Sequence, residues 1–493
     1  MRNKDGLILL LIVILGAALR LFRLDAQGLW YDELFSVAHS VRPLPELIRI
    51  LAEDVAHPPL HNFVLRAWFL VAGYGSMQAR LVSVIFGTLS IPLLFLLARR
   101  FAGPAAGLCA AFLLAVSQMG VYFSQEARGY ALLQFLSLMA ALVFLSFLQK
   151  PDLLRSFLFA LLGLAMLYTH YYGASTLLAL GLYWLIFRKE CSPLVFPRLT
   201  AIAVALGIAC IPWIFIIARA GKATKAYLFT PKPTWSPTLY SPIGAFNHFH
   251  GMKLESIEGL TSHAEVLLGL AVFASLIAAA LWLVRGEALR GVLLGCLLSA
   301  TPVVVALLVG VTGAIFNYRH YSFAIPGYFL AIAIGWRLVL RNSTIRFLWL
   351  AIASLLCVLA LRPVYFKPTK PDYRQGFLPL AEHHRPGDCV AGQPRVWRNR
   401  IHYAWEVYYG DRAALRLVPF HQLPDVPSSC RRLWLIWDRT WWMNANPQTT
   451  AEAAEMEARL RAQFEVERVD EHEAIRLVLL RRVHSRSGTL ETP

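Results

Sequence analysis

Acidic side chains are scarce in this 493-residue sequence: 30 Asp and Glu stand against 47 Lys and Arg, and only 16% of residues are charged. A chain that is 57% hydrophobic, with a mean hydropathy of +0.53, lies outside the range of soluble globular domains and reads as a polytopic membrane protein. Cysteine is thin as well, seven in all, and no Cys/His spacing suits a structural zinc site. A Gly-rich phosphate loop, a nucleotide fingerprint and a Ser-His-Asp signature are all missing. An enzyme of this kind takes its activated substrate from the lipid phase. The net charge of +17 does not indicate nucleic acid, because Lys and Arg sit at the ends of apolar runs, where they set topology and meet phospholipid.

What the chain has in abundance is apolar runs. A spanning helix needs about 20 mainly apolar residues, and by that ruler about eleven spans are expected: 6–24, 79–98, 105–122, 130–148, 155–171, 173–187, 199–218, 264–284, 291–311, 321–338 and 345–362. The first follows Arg2 and Lys4; no small-x-small site precedes residue 30, so it reads as an uncleaved span with a cytoplasmic amino terminus. That placement puts Arg99-Arg100, Lys150 with Arg155, Arg188-Lys189 with Arg198, Arg285 with Arg290, and Arg337, Arg341 and Arg346 inside, as the positive-inside rule requires.

Three stretches are then extracytoplasmic: a first loop over 25–78, a second over 219–263 and a tail over 363–493. Within the first loop, Leu60 to Ala72 is apolar but too short to cross, and reads as an interfacial helix. The chain thus divides into a transmembrane domain, 1–362, and a small soluble α/β domain, 363–493. In the tail, Cys389 to Ala391, Leu433 to Trp437 and Ile475 to Leu480 resemble strands, and Thr450 to Phe464 an amphipathic helix. Cys389 and Cys430 are the two cysteines of this outer domain and can pair if its compartment is oxidising.

Under this topology the unusual polar groups gather on one side. Gly28-Leu29-Trp30-Tyr31-Asp32-Glu33 follows the first span, and Asp32 suits a general base, since an ionised carboxylate accepts the proton of an attacking hydroxyl or amine; capping the helix that begins there is the other use of Asp32 and Glu33. Glu126 and Arg128, with Tyr130, form a polar turn between the third and fourth spans, where Glu126 orients an acceptor, holds a metal or positions Arg128, or where the two charges simply pair. Arg319, between His320 and Tyr318, with Tyr321 next, offers a planar fork to a departing phosphate, or anchors the chain among headgroups. His57, His170 and Tyr31 line the same side. For a divalent metal, the sequence offers Glu33, His57, Glu126 and His248 without choosing among them. Lys222, Lys225, Lys232 and Lys253 in the second loop attract an anionic headgroup or simply face water.

Trp30-Tyr31-Asp32-Glu33, His57-Pro58-Pro59-Leu60, Ala79-Arg80-Leu81, Ser124-Gln125-Glu126-Ala127-Arg128-Gly129-Tyr130 and Arg319-His320-Tyr321 through Pro326 together resemble bacterial membrane glycosyltransferases of the protein O-mannosyltransferase-like superfamily, with the aminoarabinose transferases of lipid A and the oligosaccharyltransferases as more distant relatives. The resemblance, over most of residues 7 to 340, implies the GT-C fold, a polyprenyl-phosphate-linked sugar donor, transfer on the extracytoplasmic face of a bacterial inner membrane, and inversion at the anomeric carbon. It implies Asp32 as the base and Arg319 near the donor phosphate; the family's Arg-Tyr pair is here Arg319-His320, with Tyr321 one place later. From the residues themselves, Glu33 and Glu126 are further catalytic candidates, and Arg128, His320 and Tyr321 further candidates for the donor phosphate. Asp372-Tyr373-Arg374 and Pro386-Gly387-Asp388 resemble the tails of other members, whose role the family does not imply.

Two other classes share many spans and buried charges. A lipid or sugar carrier usually shows internal repeats and helices broken at the bilayer midplane, and neither is visible here. A structural subunit of a polysaccharide assembly complex would tolerate substitution in its charged loops. The sequence names neither the sugar nor the acceptor, which is a lipid, a glycan or a protein.

Overall fold

The computed structural model describes residues 3–55, 57–219, 270–311, 318–367, 370–392, 397–410, 415–418, 423, 426–438, 455–456, 458–472 and 475–483. Two compact units divide the chain: residues 1–24 with 39–367, and residues 25–38 with 368–493. The first is helical, the second is built on a sheet.

The helical unit begins with α1 (Asn3–Leu21), the end of α2 (Tyr31–Ser40), α3 (Leu44–Asp54) and α4 (Leu60–Ala72). It continues through α5 (Ser76–Val116), α6 (Gln118–Ser124), α7 (Tyr130–Gln149), α8 (Leu153–Thr169), α9 (Gly173–Phe187) and α10 (Val195–Arg219). Beyond residue 269 come α11 (Ser275–Leu283), α12 (Gly286–Val311), a 3₁₀ turn over Tyr318–Ala324, α13 (Ile325–Leu338) and α14 (Ser343–Phe366). Five of the described helices are long and apolar enough to cross a membrane, namely α5, α7, α10, α12 and α14. The protein is an integral membrane protein.

Over its described residues each expected span falls largely on helix, residues 264–269 lying outside them, with two adjustments. The long run α5 is two helices in one: Ala102 and Gly103 leave helical geometry, Gly103 at φ +78°, just before Pro104. A side chain added at Gly107 would strike Phe95, so the second half folds back on the first. The third expected span, 105–122, ends early at Val116, because Ser117 adopts extended geometry and its hydroxyl accepts from the Gly120 amide, an N-cap that starts a new helix.

Ile91, Leu94 and Phe95 of α5, Phe144 of α7 and Phe329 and Leu330 of α13 share one buried core. Outward faces are also apolar: Leu7, Leu10 and Ile14 on α1, Ile208, Ile211 and Ile214 on α10, and Phe347, Ile352 and Leu355 on α14 are all exposed. Such a surface suits lipid, where a helix satisfies its own backbone polar groups.

In the second unit five strands, β1 (Cys389–Gly392), β2 (Arg416–Leu417), β3 (Arg432–Asp438), β4 (Phe464–His472) and β5 (Ile475–Arg482), form a mixed sheet in the order β2-β1-β3-β5-β4. The β1 strand runs parallel to β2 and β3, and β5 antiparallel to β3 and β4. Helices α15 (Tyr373–His383) and α16 (Trp397–Tyr409) complete it. The three expected strands are present. Of the expected helix over 450–464, residues 455–456 and 458–461 are helical, 450–454 and 457 lie outside the described residues, and Phe464 opens β4. The strand β4 that follows was not among the expected ones: it is an edge strand whose charged, exposed face, Glu465, Glu467 and Glu471, leaves little apolar alternation to read. Cys389 and Cys430 are joined by a disulfide.

Candidate functional site

In the helical unit, segments that connect helices converge on a polar centre. His57 lies just before α4, His61 in its first turn, Arg128 in the turn between α6 and α7, Tyr130 at the start of α7, His170 just after α8, Tyr172 beside it, and His320 in the 3₁₀ turn. The His170 ring lies 5.7 Å from His57, 5.9 Å from Tyr130, 5.7 Å from Tyr172 and 5.6 Å from His320, centre to centre. His320 stacks on Tyr172 at 5.3 Å.

Arg128 supplies the charge. It is buried and its Nη2 donates to His57 Nε2 at 2.6 Å. An arginine has no acceptor, so that imidazole nitrogen carries no proton. The Tyr172 amide donates to His170 Nδ1 at 3.2 Å, which leaves the His170 proton on Nε2. Burial first and the Arg128 charge second push His61 and His170 each down to about 3, and the same causes hold His57 well below the usual histidine range. All three rings are therefore neutral at neutral pH, and the centre's positive charge belongs to Arg128. His61 Nε2 and the Tyr172 hydroxyl are buried with no hydrogen-bond partner among the described residues, and burial pushes Tyr172 up to about 12.

The surrounding turns are built to hold this centre. The Arg128 carbonyl accepts from Ser83 Oγ at 3.2 Å, and Gln125 donates to the Arg20 and Phe22 carbonyls at 2.9 Å each. Arg20 itself is fully buried and bonds neutral oxygens: Ser124 Oγ at 3.0 Å and the carbonyls of Gly16, Ala115 and Leu114 at 2.9, 3.0 and 3.1 Å. Leu114 and Ala115 lie in the last turn of α5, whose carbonyls have no intrahelical partner. Gly87 makes this junction possible, since a Cβ there would stand 2.0 Å from Ser124 Oγ. Arg80 of the Ala79-Arg80-Leu81 motif is buried and donates to the Leu24 carbonyl at 2.8 Å.

Glu126 is buried in the same turn as Arg128. Arg319 is half-buried, its carbonyl accepting from Ser322 Oγ at 2.9 Å. Tyr321 is fully buried among the core residues of the bundle. His61 and Tyr172, not among the candidate site residues read from the sequence, belong to the centre; the signal for His61 was a polar residue in the first turn of an otherwise apolar short helix.

The second unit carries the Gly28 to Glu33 stretch. Tyr31 and Asp32 are half-buried in the first turn of α2, and Glu33 is fully buried. Glu33 Oε2 accepts from the Trp30 amide at 3.4 Å and lies 3.9 Å from Lys370 Nζ, so the capping use of Glu33 is realised. Lys370 also sits 5.8 Å from the Trp30 ring centre. Among the described residues no three His, Cys, Asp or Glu side chains group as metal ligands. His248 and the four lysines of the second loop lie outside the described residues.

The chain has the GT-C fold, and its resemblance to the protein O-mannosyltransferase-like superfamily is borne out by a family profile and by solved structures. The profile of the family described as dolichyl-phosphate-mannose-protein mannosyltransferase matches residues 56–216. ArnT from Cupriavidus metallidurans bound to undecaprenyl phosphate is similar in structure, with a TM-score of 0.59 at 14% identity, covering 99% of this chain and 100% of that one. Its apo form gives 0.58 at 13% identity, over 96% and 97%. An Archaeoglobus fulgidus oligosaccharyltransferase in the apo form reaches only 0.49 at 12% identity, over 89% and 70%. No curated protein matches the sequence.

Proposed function

We propose that the protein is an inverting glycosyltransferase that moves a sugar from a polyprenyl-phosphate carrier to a lipid, glycan or protein acceptor on the extracytoplasmic face of a bacterial inner membrane, with its amino terminus in the cytoplasm. The observation that carries this reading is the buried Arg128, set among neutral imidazoles, in a fold similar to that of a protein bound to undecaprenyl phosphate. A buried guanidinium beside neutral imidazoles suits an anionic phosphate held out of water.

The chemistry is a direct displacement. Asp32 takes the proton of the acceptor hydroxyl or amine. The acceptor attacks the anomeric carbon, and the carbon–oxygen bond to phosphate breaks with its electron pair on the leaving oxygen. Arg128, with Arg319, stabilises the charge that develops on the lipid phosphate. The neutral His170 donates a hydrogen bond without competing for that charge, His320 lies beside it, and Tyr130 and His57 line the donor side. Glu126 orients the acceptor or Arg128.

The test is release of free polyprenyl phosphate from a radiolabelled polyprenyl-phosphate sugar by the purified protein, with a membrane extract as acceptor. Release by the wild type and its loss by about 10²-fold or more in Asp32→Asn are expected, the usual scale for a general base, with donor binding kept. Wild-type turnover in Asp32→Asn removes Asp32 from the role. No release across a range of donor sugars, with labelled lipid instead crossing the bilayer of proteoliposomes, makes the protein a carrier.

A further inference from the structure

The Asp372-Tyr373-Arg374 motif has no place in the displacement chemistry, yet it meets the segment that carries Asp32, within the same unit. Asp372 is buried and uses both carboxylate oxygens: Oδ2 accepts from the Gly28 amide at 2.8 Å and Oδ1 from the Gln375 amide at 3.0 Å, the latter as the N-cap of α15. Arg374 grips Asp25 twice, through Nη1 to the carboxylate and Nη2 to the carbonyl, both at 2.8 Å. Tyr409 holds Arg374 in turn, its hydroxyl donating to the Arg374 carbonyl at 2.6 Å.

Further bonds continue the line. Gln27 donates to the Lys370 carbonyl, the Leu29 amide donates to the Tyr408 hydroxyl at 2.5 Å, and Lys370 faces both Trp30 and Glu33. The approach is so close that a Cβ at Gly28 would stand 2.2 Å from Asp372 Oδ1 and 2.9 Å from Arg374 Cβ. The backbone before α2 is thereby fixed from Asp25 to Trp30, and Glu33 is locked inside the unit. Asp32, its neighbour on the first turn, points about 100° away from Glu33 and stays half-buried.

We propose that Asp372 and Arg374 are positioning residues for Asp32: they clamp the segment so that the carboxylate is presented in one orientation. This rests on the assignment of Asp32 as base. Misplacing a reacting group by about 1 Å costs about 10²-fold in rate, which is what gives such a clamp its leverage.

Asp372→Asn tests it in the full-length protein reconstituted in proteoliposomes. An amide offers one acceptor where the carboxylate offers two, and it turns an NH₂ toward one of the two backbone donors. With a polyprenyl-phosphate sugar as donor, kcat falls by about tenfold or more while the donor KM stays within about twofold, the split expected when binding is kept and the chemical step is misaligned. Amide hydrogen exchange accelerates over residues 26–34 and not in β1, β3 or β5. Arg374→Ala behaves alike, and Arg374→Lys, which keeps one ion pair to Asp25, recovers part of kcat. Unchanged kcat with unchanged exchange overturns the proposal, as does exchange rising equally across the sheet, which marks a general folding role. Should Asp32→Asn turn over like the wild type, the base assignment fails by itself; the exchange arm needs no substrate and still decides whether these two residues hold the segment.

Discussion

Arg20 is fully buried and Arg374 half-buried, and the two units satisfy their guanidinium groups in opposite ways. Arg20, in the helical bundle, has a hydroxyl and three backbone carbonyls. Arg374, in the sheet unit, has the carboxylate and carbonyl of Asp25. The bundle has few acids to offer, and an ion pair in a low-dielectric interior must offset the desolvation of two charges instead of one. Free carbonyls at a helix end cost nothing extra, because α5 stops at Val116 and its last turn needs donors anyway. Outside the bundle, carboxylates are at hand: Asp388, for one, accepts from the Arg385 amide at 2.9 Å and Trp434 Nε1 at 3.1 Å.

The comparison can be broken at its strongest point first. Replacing both Cys389 and Cys430 by Ser removes a cross-link over 41 residues and should cost the sheet unit about 4 kcal/mol on chain-entropy grounds. Protease resistance of that unit in detergent reads the loss, and resistance of the bundle should be unchanged; equal loss in both would mean that their stabilities are not independent.

Arg20→Leu comes next. It strands the Leu114 and Ala115 carbonyls and Ser124, and at about 1 kcal/mol or more for each buried acceptor left without a donor the bundle loses about 3 kcal/mol. Thermal unfolding in detergent measures it. A loss below about 1 kcal/mol would show that water reaches these carbonyls and that the neutral cage is not what holds Arg20.

The smallest effect concerns pH. His61 is held at about 3 in the folded protein, whereas in an unfolded chain its pKa is about 6.5. Between those values the unfolded state binds the extra proton, so stability is complete above about pH 6.5 and declines as pH falls towards 3. His61→Leu, which removes this group and leaves no donor wanting, should flatten that decline without lowering stability at pH 7.5. An equally steep acid decline in His61→Leu would assign it to other groups.

Much of this was legible beforehand. The spans were read from runs of apolar residues because a membrane imposes one length rule on every crossing, and α4 emerged with the bounds expected from its short apolar run, Leu60 to Ala72. The central strands β3 and β5 were legible because both are nearly continuous apolar runs. The edge strand β4 was not, since its exposed face carries the charges of a surface helix. At the site, His57, Arg128, His170 and His320 were each picked from sequence, but their meeting was not, for they come from connections far apart in the chain.

Composition and periodicity by themselves determined that this is a many-helix membrane protein with an α/β tail, because hydrophobic length and alternation are local properties of the chain. Only the tertiary structure decided that residues 25–38 pack with 368–493, that Asp372 and Arg374 bond to that segment, and that His57, His61 and His170 stay neutral. Those outcomes depend on which groups meet across hundreds of residues and on how much water is left between them, and no local pattern records either.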